Sequence, residues 1–228
     1  MDKTTPQAGA PHDRLIHGLA ADLKPVQPLP SPLKRALVWL GFVVAAGLIL
    51  SLIADLPAFA GRLAATPDMW LAMTGSALTA VLAAIAAFKL SLPDSPRAWA
   101  WLPLPAAVLW LAASGLGCLR GFVLPDTYVP PFSETIECLA IILALSVPFS
   151  LLLFAMLRQA FPLLPGLTAV IAGLAVAAAS ATLLNLFHPF DAAVVDLLVH
   201  AFAVALVIIA SRALGARIFG QANFPKAA

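Results

Sequence analysis

Two thiols and a short run of imidazole and carboxylate groups are the residues whose types suit chemistry. Cys118 and Cys138 are separated by nineteen residues, Leu119 to Glu137, which include Pro125, Pro130, Pro131, Asp126, Glu134 and Glu137. Later, His188-Pro189-Phe190-Asp191 leads into a stretch holding Asp196 and His200. Those two are four apart, so on a helix they share a face. Asp191 to His200 covers about 13 Å of helix at 1.5 Å per residue. Three chemistries fit these residues. The thiols can pair or act as a redox couple in an oxidising compartment, and closing a loop of about 20 residues contributes about 3 kcal/mol where the geometry allows. Thiolate, imidazole and carboxylate are also adequate ligands for Zn²⁺ or Cu. Asp196 and His200 inside an apolar run have the form of a proton relay or an axial ligand. Each has a bland counterpart. Cysteines serve as small buried hydrophobes, Pro189 and Asp191 can simply start a helix, and Asp196 can hydrogen-bond His200 with no further role. Hydrolase elbows, phosphate loops, dinucleotide fingerprints, C-x-x-C and H-E-x-x-H are all absent from the sequence.

The elements that must position these groups are apolar. The chain has 228 residues, is 62% hydrophobic and 11% charged, and has a mean hydropathy of +0.98, against about 25% charged residues in soluble domains. This is the composition of an all-α integral membrane protein. Six runs approach the length of about 20 residues that crosses the hydrocarbon core: 36–54, 69–88, 99–118, 138–157, 166–187 and 192–210. Pro103, Pro105 and Pro148 fall inside the third and fourth runs, and a kink is expected at Pro148. Trp39, Trp70, Trp99 and Trp101 lie near run ends, where indoles favour the membrane interface. Ala169, Gly173, Ala177 and Ala181 form a small-residue stripe on the fifth run, suited to close helix packing. The polar stretch before the first run is too long for an ordinary signal-peptide n-region, so that run is expected to remain as an anchor.

Lysine and arginine set the orientation. Lys3, Arg14, Lys24, Lys34, Arg35, Lys89, Arg97, Arg158, Arg212, Arg217 and Lys226 fall on the side of the N-terminus and the even connections. Only Arg62 and Arg120 fall on the other. Both termini are therefore expected in the cytoplasm, and Cys118, Cys138 and the His188 connection outside. The net charge of +2 gives no reason to expect direct nucleic-acid binding. The cytoplasmic connections are too short for a soluble catalytic domain, so neither enzymatic activity nor a small-molecule substrate is expected.

One long polar segment, Asp13 to Arg35, precedes the membrane block. Leu15, Ile16, Leu19 and Leu23 recur at helical spacing, and Pro25, Pro28, Pro30 and Pro32 then favour an extended tether. A helix of about 10 residues is marginal alone in water, so its apolar face needs a surface. That surface is either the bilayer and bundle or a soluble partner. The expected organisation is a docking segment and tether over 1–35, a six-helix membrane domain over 36–219 and a cytoplasmic tail over 220–228.

The run LIHGLAADLKPVQPLPSP, followed by an arginine and the first membrane helix, resembles the NrsF-type membrane anti-sigma factors, with similarity from Leu15 to about Phe219. The resemblance implies a six-helix, multi-pass protein of the bacterial inner membrane, binding the lipid bilayer and an extracytoplasmic-function (ECF) sigma factor. It implies sigma binding through Leu15 to Val26. Leu15, Ile16, Leu19 and Leu23 would fill an apolar groove, Asp22 and Lys24 would set register, and Pro25 and Val26 would end the segment. It further implies outward cysteines that sense a metal or oxidative stress. Glu137-Cys138-Leu139 matches one of them. The second tends to precede a proline at the start of the last run, where this chain has His188 before Pro189. Cys118 then stands as an alternative thiol partner. Cys138, His188 and His200 stand as ligands of a transient metal ion, the one cofactor expected, with Asp191 and Asp196 nearby in sequence. The rival reading is a small transporter or a haem- or quinone-binding membrane protein using Asp196 and His200.

Overall fold

The computed structural model describes residues 11–21, 28–65, 67–123, 132–160, 162–187, 202 and 205–213. Among them the only regular structure is helical. Helix α1 spans Pro11–Ala21. Proline at its first position has the helical φ preset and lacks only an N–H that would be orphaned anyway. The same device starts α2, Pro32–Ser51, where Ser31 accepts a hydrogen bond from the Lys34 amide at 3.4 Å. Asp55 then starts a helix that the apolar pattern does not announce: its Oδ1 accepts from the Ala58 amide at 3.0 Å, and α3 runs Leu56–Ala65. Helix α4 follows as Pro67–Leu90, α5 as Leu104–Val123, α6 as Phe132–Arg158 and α7 as Pro165–Leu184. Residues 205–213 are also helical.

Among the described residues, five helical segments are long and apolar enough to cross a membrane: Pro32–Ser51, Asp68–Leu90, Arg97–Gly115, Ala140–Arg158 and Pro165–Leu184. They coincide with the first five apolar runs and make this a membrane protein. Most of the sixth run, 192–210, lies outside the described residues. The third run is not one helix. A short 3₁₀ helix at Arg97–Trp101 is followed by a turn at Leu102 and Pro103 before α5 begins. Two prolines two residues apart would remove two helical hydrogen bonds, whereas Pro105 in the first turn of α5 removes none. Pro148 is instead kept inside α6.

Helix α7 lies at the centre. It is apolar all round and buried along most of its length, as expected of a helix surrounded by others. Its most extensive partner is α4, which also packs on α5 and α2, while α6 covers another side of α7. Between helices in lipid there is little hydrophobic drive, so close approach and polar bonds do the work. Both are present. A Cβ on Gly173 would come within 2.9 Å of the Ser211 Cβ and 3.0 Å of the Ile208 Cα, so the small-residue stripe admits the 205–213 helix. A Cβ on Gly75 would stand 2.7 Å from the Trp110 backbone nitrogen, which brings α4 and α5 together. Thr182 donates to Ser76 at 2.9 Å, and Ser146 pairs with Ser180 at 3.1 Å.

Trp39 departs from its expected place at the interface. It is fully buried, its Nε1–H donates to the Phe149 carbonyl at 3.1 Å, and its ring meets that of Phe149 edge-on. Trp70 and Trp101 remain exposed. An indole N–H without water needs an acceptor, and α6 offers one just past Pro148.

Gly75→Val should lower the apparent melting temperature in detergent by several degrees, since overpacking costs about 1–3 kcal/mol. Gly41, with nothing within 4 Å of its added Cβ, provides the control. Gly41→Ala should leave the melting temperature unchanged or raise it slightly, because alanine is favoured over glycine in a helix by about 0.5–1 kcal/mol.

Candidate functional site

The amphipathic pattern ahead of the membrane block folds as α1. Leu15, Ile16 and Leu19 lie within two turns and are 62%, 60% and 63% exposed. They are not buried against the bundle. Helix α1 ends at Ala21; Asp22, Leu23, Lys24, Pro25 and Val26 lie outside the described residues. Pro28, Leu29 and Pro30 follow as exposed, non-helical chain up to the start of α2.

Where that tether enters the bundle, the sequence suggests two boundary charges, and the structure separates them. Lys34 is exposed, while Arg35 is 4% exposed. One guanidinium nitrogen of Arg35 donates to Ser91 Oγ at 3.5 Å and another donates to the Met156 carbonyl. Its Cζ sits 4.8 Å from the centre of the Phe88 ring. Phe88 closes α4, Ser91 follows it, and Met156 is in the last turn of α6. Carbonyls in a last turn have no partner within their helix, and that end of a helix carries partial negative charge. A cation placed there supplies both donors and charge. Ser91 adds a bond of its own to the Phe88 carbonyl at 2.7 Å, and Thr168, in the first turn of α7, donates to the Leu90 carbonyl at 3.4 Å. The starts of α2 and α7 and the ends of α4 and α6 are thus tied together at one face. Lys89 lies 5.1 Å from the Trp99 ring centre and adds the 3₁₀ helix to the same face. In the sequence one hint precedes this: Arg35 and Trp39 are four apart and share a helical face, and a tryptophan facing inward brings the arginine with it.

Helix direction then places the thiol-bearing positions. Cys138 is in α6, eighteen residues before Met156, about 27 Å away along the helix. Cys118 is near the end of α5, whose start adjoins the 3₁₀ helix. The backbone therefore carries both cysteines to the ends of their helices away from Arg35. Their side chains lie outside the described residues, as do His188, Asp191, Asp196 and His200 altogether. Among the described residues no three His, Cys, Asp or Glu side chains group as a metal site. At that far end the described polar groups include the two serine and threonine pairs, Asn185, which donates to the Ala181 carbonyl at 3.0 Å, and the carboxylates of Asp55 and Asp68, the latter buried.

Comparison with known proteins places this arrangement. The sequence model of one family, NrsF, described as negative regulator of sigma F, matches residues 19–220. The match begins at Leu19, within α1, and takes in the tether, Arg35 and the membrane helices. No curated protein and no solved structure matches the chain.

Proposed function

The chain belongs to the NrsF family of negative regulators of sigma F, and from that premise we propose that it is an anti-sigma factor of the bacterial inner membrane that holds an ECF sigma factor through its N-terminal segment and releases it on an envelope signal. Membership makes a sigma factor its partner and its role regulatory. The observation that carries the rest is α1. A helix of eleven residues keeps Leu15, Ile16 and Leu19 exposed ahead of a proline tether, and a helix that short gains its stability from what it packs against. A groove on the sigma factor provides that surface. Leu23 extends the apolar face, Asp22 and Lys24 set the register, and Pro25 and Val26 end the contact. Burying a leucine contributes about 1.5–3 kcal/mol before the costs of association.

In this reading the face holding Arg35 is cytoplasmic, as the concentration of lysine and arginine on that side favours. The opposite face then lies in the periplasm, where thiols are free to oxidise. Cys138 and His188, with His200, make up a ligand set for a soft or borderline metal ion. Cys118, Asp191 and Asp196 belong to the same outward signal site. Metal binding displaces protons from thiol and imidazole, so affinity falls in acid. An oxidant would act on the thiols instead, taking two electrons and two protons from Cys118 and Cys138 as their disulfide forms. Either signal must interact differently with the sigma-holding and sigma-releasing states in order to shift them.

A reporter that fluoresces only in the cytoplasm should be bright when fused at Ala228 and dark when inserted within residues 126–131. A bright loop fusion would reverse the orientation. A peptide of residues 1–35 should bind the sigma factor measurably, with the full chain binding more tightly. Leu19→Asp should weaken either complex by about 2–4 kcal/mol, roughly 30- to 700-fold in Kd, because it buries an unpaired charge; unchanged binding by calorimetry would refute the docking face. For the signal, Cys138→Ser and His188→Ala should both abolish metal-induced release while leaving sigma binding intact. If the signal is an oxidant, Cys118→Ser should match Cys138→Ser, and His188→Ala should have little effect.

A further inference from the structure

We propose that Arg35 is the positioning residue for sigma capture: its clasp on the ends of α4 and α6 sets the direction in which the tether leaves the membrane block between Ser31 and Pro28, and it is the contact through which α6 acts on that tether. This rests on the docking role of α1 proposed above.

The burial of Arg35 is what calls for a function. Lys34 stands beside it in the sequence, exposed at the same boundary, and already serves to mark the cytoplasmic side. A charge needed only for that purpose can stay in water, and removing one from water is costly unless its partners replace the lost hydration. Arg35 has such partners on two different helices: Ser91 after α4 and the Met156 carbonyl of α6, with the Phe88 ring against the guanidinium. The planar, forked guanidinium presents separate N–H groups in fixed directions, whereas the ammonium of a lysine is a single point. Arginine at this position can hold both helix ends at once.

Little flexibility intervenes between that clasp and the tether. Arg35 is in the first turn of α2. Ser31 caps the helix with extended ψ of 148°, and its backbone is confined by Pro32. Pro30 and Pro28 each have φ fixed near −65°, and Leu29 is restricted by the proline after it. The orientation of the first turn of α2 is therefore passed to the exposed chain as far as Pro28. In the other direction, α6 is continuous from Phe132 to Arg158. Cys138 and the Met156 carbonyl are on the same helix, about 27 Å apart along it, with Pro148 between them. A shift of α6 on the signal side displaces the acceptor that Arg35 holds. Coupling of this kind is established only by showing that both ends bias the same element.

The test uses the full chain in nanodiscs, with Cys118 and Cys138 replaced by serine and nitroxide labels at Leu29→Cys in the tether and Ala98→Cys on the 3₁₀ helix, both exposed positions. With Arg35 present, the distance distribution between the labels should be narrow. Arg35→Lys and Arg35→Met should broaden it, and so should the pair Pro30→Gly with Pro32→Gly, which leaves the clasp itself in place and guards against a variant that simply misfolds. Affinity is read with a sigma factor whose binding to the full chain depends on Leu19. The Arg35 variants and the glycine pair should each weaken it about tenfold, by loss of preorganisation, while the protein remains monodisperse. An unchanged distance distribution, or unchanged affinity in both the Arg35 and the glycine variants, overturns the proposal. If Leu19→Asp binds every sigma factor tested as well as the parent chain, it is the docking reading that has failed; the label distances still decide whether Arg35 orients the tether.

Discussion

A guanidinium removed from water has to be met by acceptors, and the arrangement of this bundle at one face follows from where they are found. Arg35 takes them from the ends of α4 and α6. Those ends need donors as much as Arg35 needs acceptors, because the last carbonyls of a helix have none of their own and carry its negative pole. The two requirements cancel in one contact. Thr168 answers the same need at Leu90, so the helix ends at this face are linked by hydrogen bonds and not by shape alone. A hydrophobic residue at position 35 would fill the space and leave the Met156 carbonyl without this donor.

Deeper in the bundle, different forces hold the helices. Trp39, Phe42 and Phe149 meet edge to face, and the indole N–H finds a carbonyl. Further along, alanine and glycine let backbones approach until a single added Cβ would clash. Hydroxyl pairs join α4 to α7 and α6 to α7. Such bonds between membrane helices contribute only about 0.6 kcal/mol on average. Their greater effect is on register, since a hydroxyl pair tolerates little sliding. Lipid-facing residues such as Leu37, Val38, Leu48 and Ile49 on α2 are exposed, as they should be where the solvent is hydrocarbon.

This division suits a protein whose partner is soluble and whose body is not. Helix α1 is short and its apolar residues Leu15, Ile16 and Leu19 are uncovered; under the proposed docking role, most of its binding energy comes from the partner's surface. Its attachment limits where it can look for that surface. The ten residues between Ala21 and Pro32 reach at most about 35 Å, so α1 stays close to the membrane. Under the proposed docking role, a sigma factor held on α1 is kept within that distance. With the proposed Arg35 clasp, restricting the tether's direction would lower the orientational cost of capture without adding a contact.

Much of this was legible in the residues themselves. The length and composition of the apolar runs announce membrane helices because only a closed set of backbone hydrogen bonds is tolerated in lipid. The spacing of Leu15, Ile16 and Leu19 announces α1, because helix periodicity is a local property. The stripe on α7 announced close packing, and the tertiary structure supplied the partner at Gly173, the 205–213 helix. Other features are not local. Beyond its four-residue spacing from Trp39, nothing in the neighbourhood of Arg35 distinguishes it from Lys34; what buries it is the position of Ser91 and Met156, which are 56 and 121 residues away. Trp39 reads as an interfacial anchor until α6 is placed across it. Gly75 is unremarkable until Trp110 of α5 comes against it. Composition and period determine which segments enter the membrane. Which charge is buried, and which helix ends it joins, depends on contacts between distant parts of the chain, and only the folded bundle decides them.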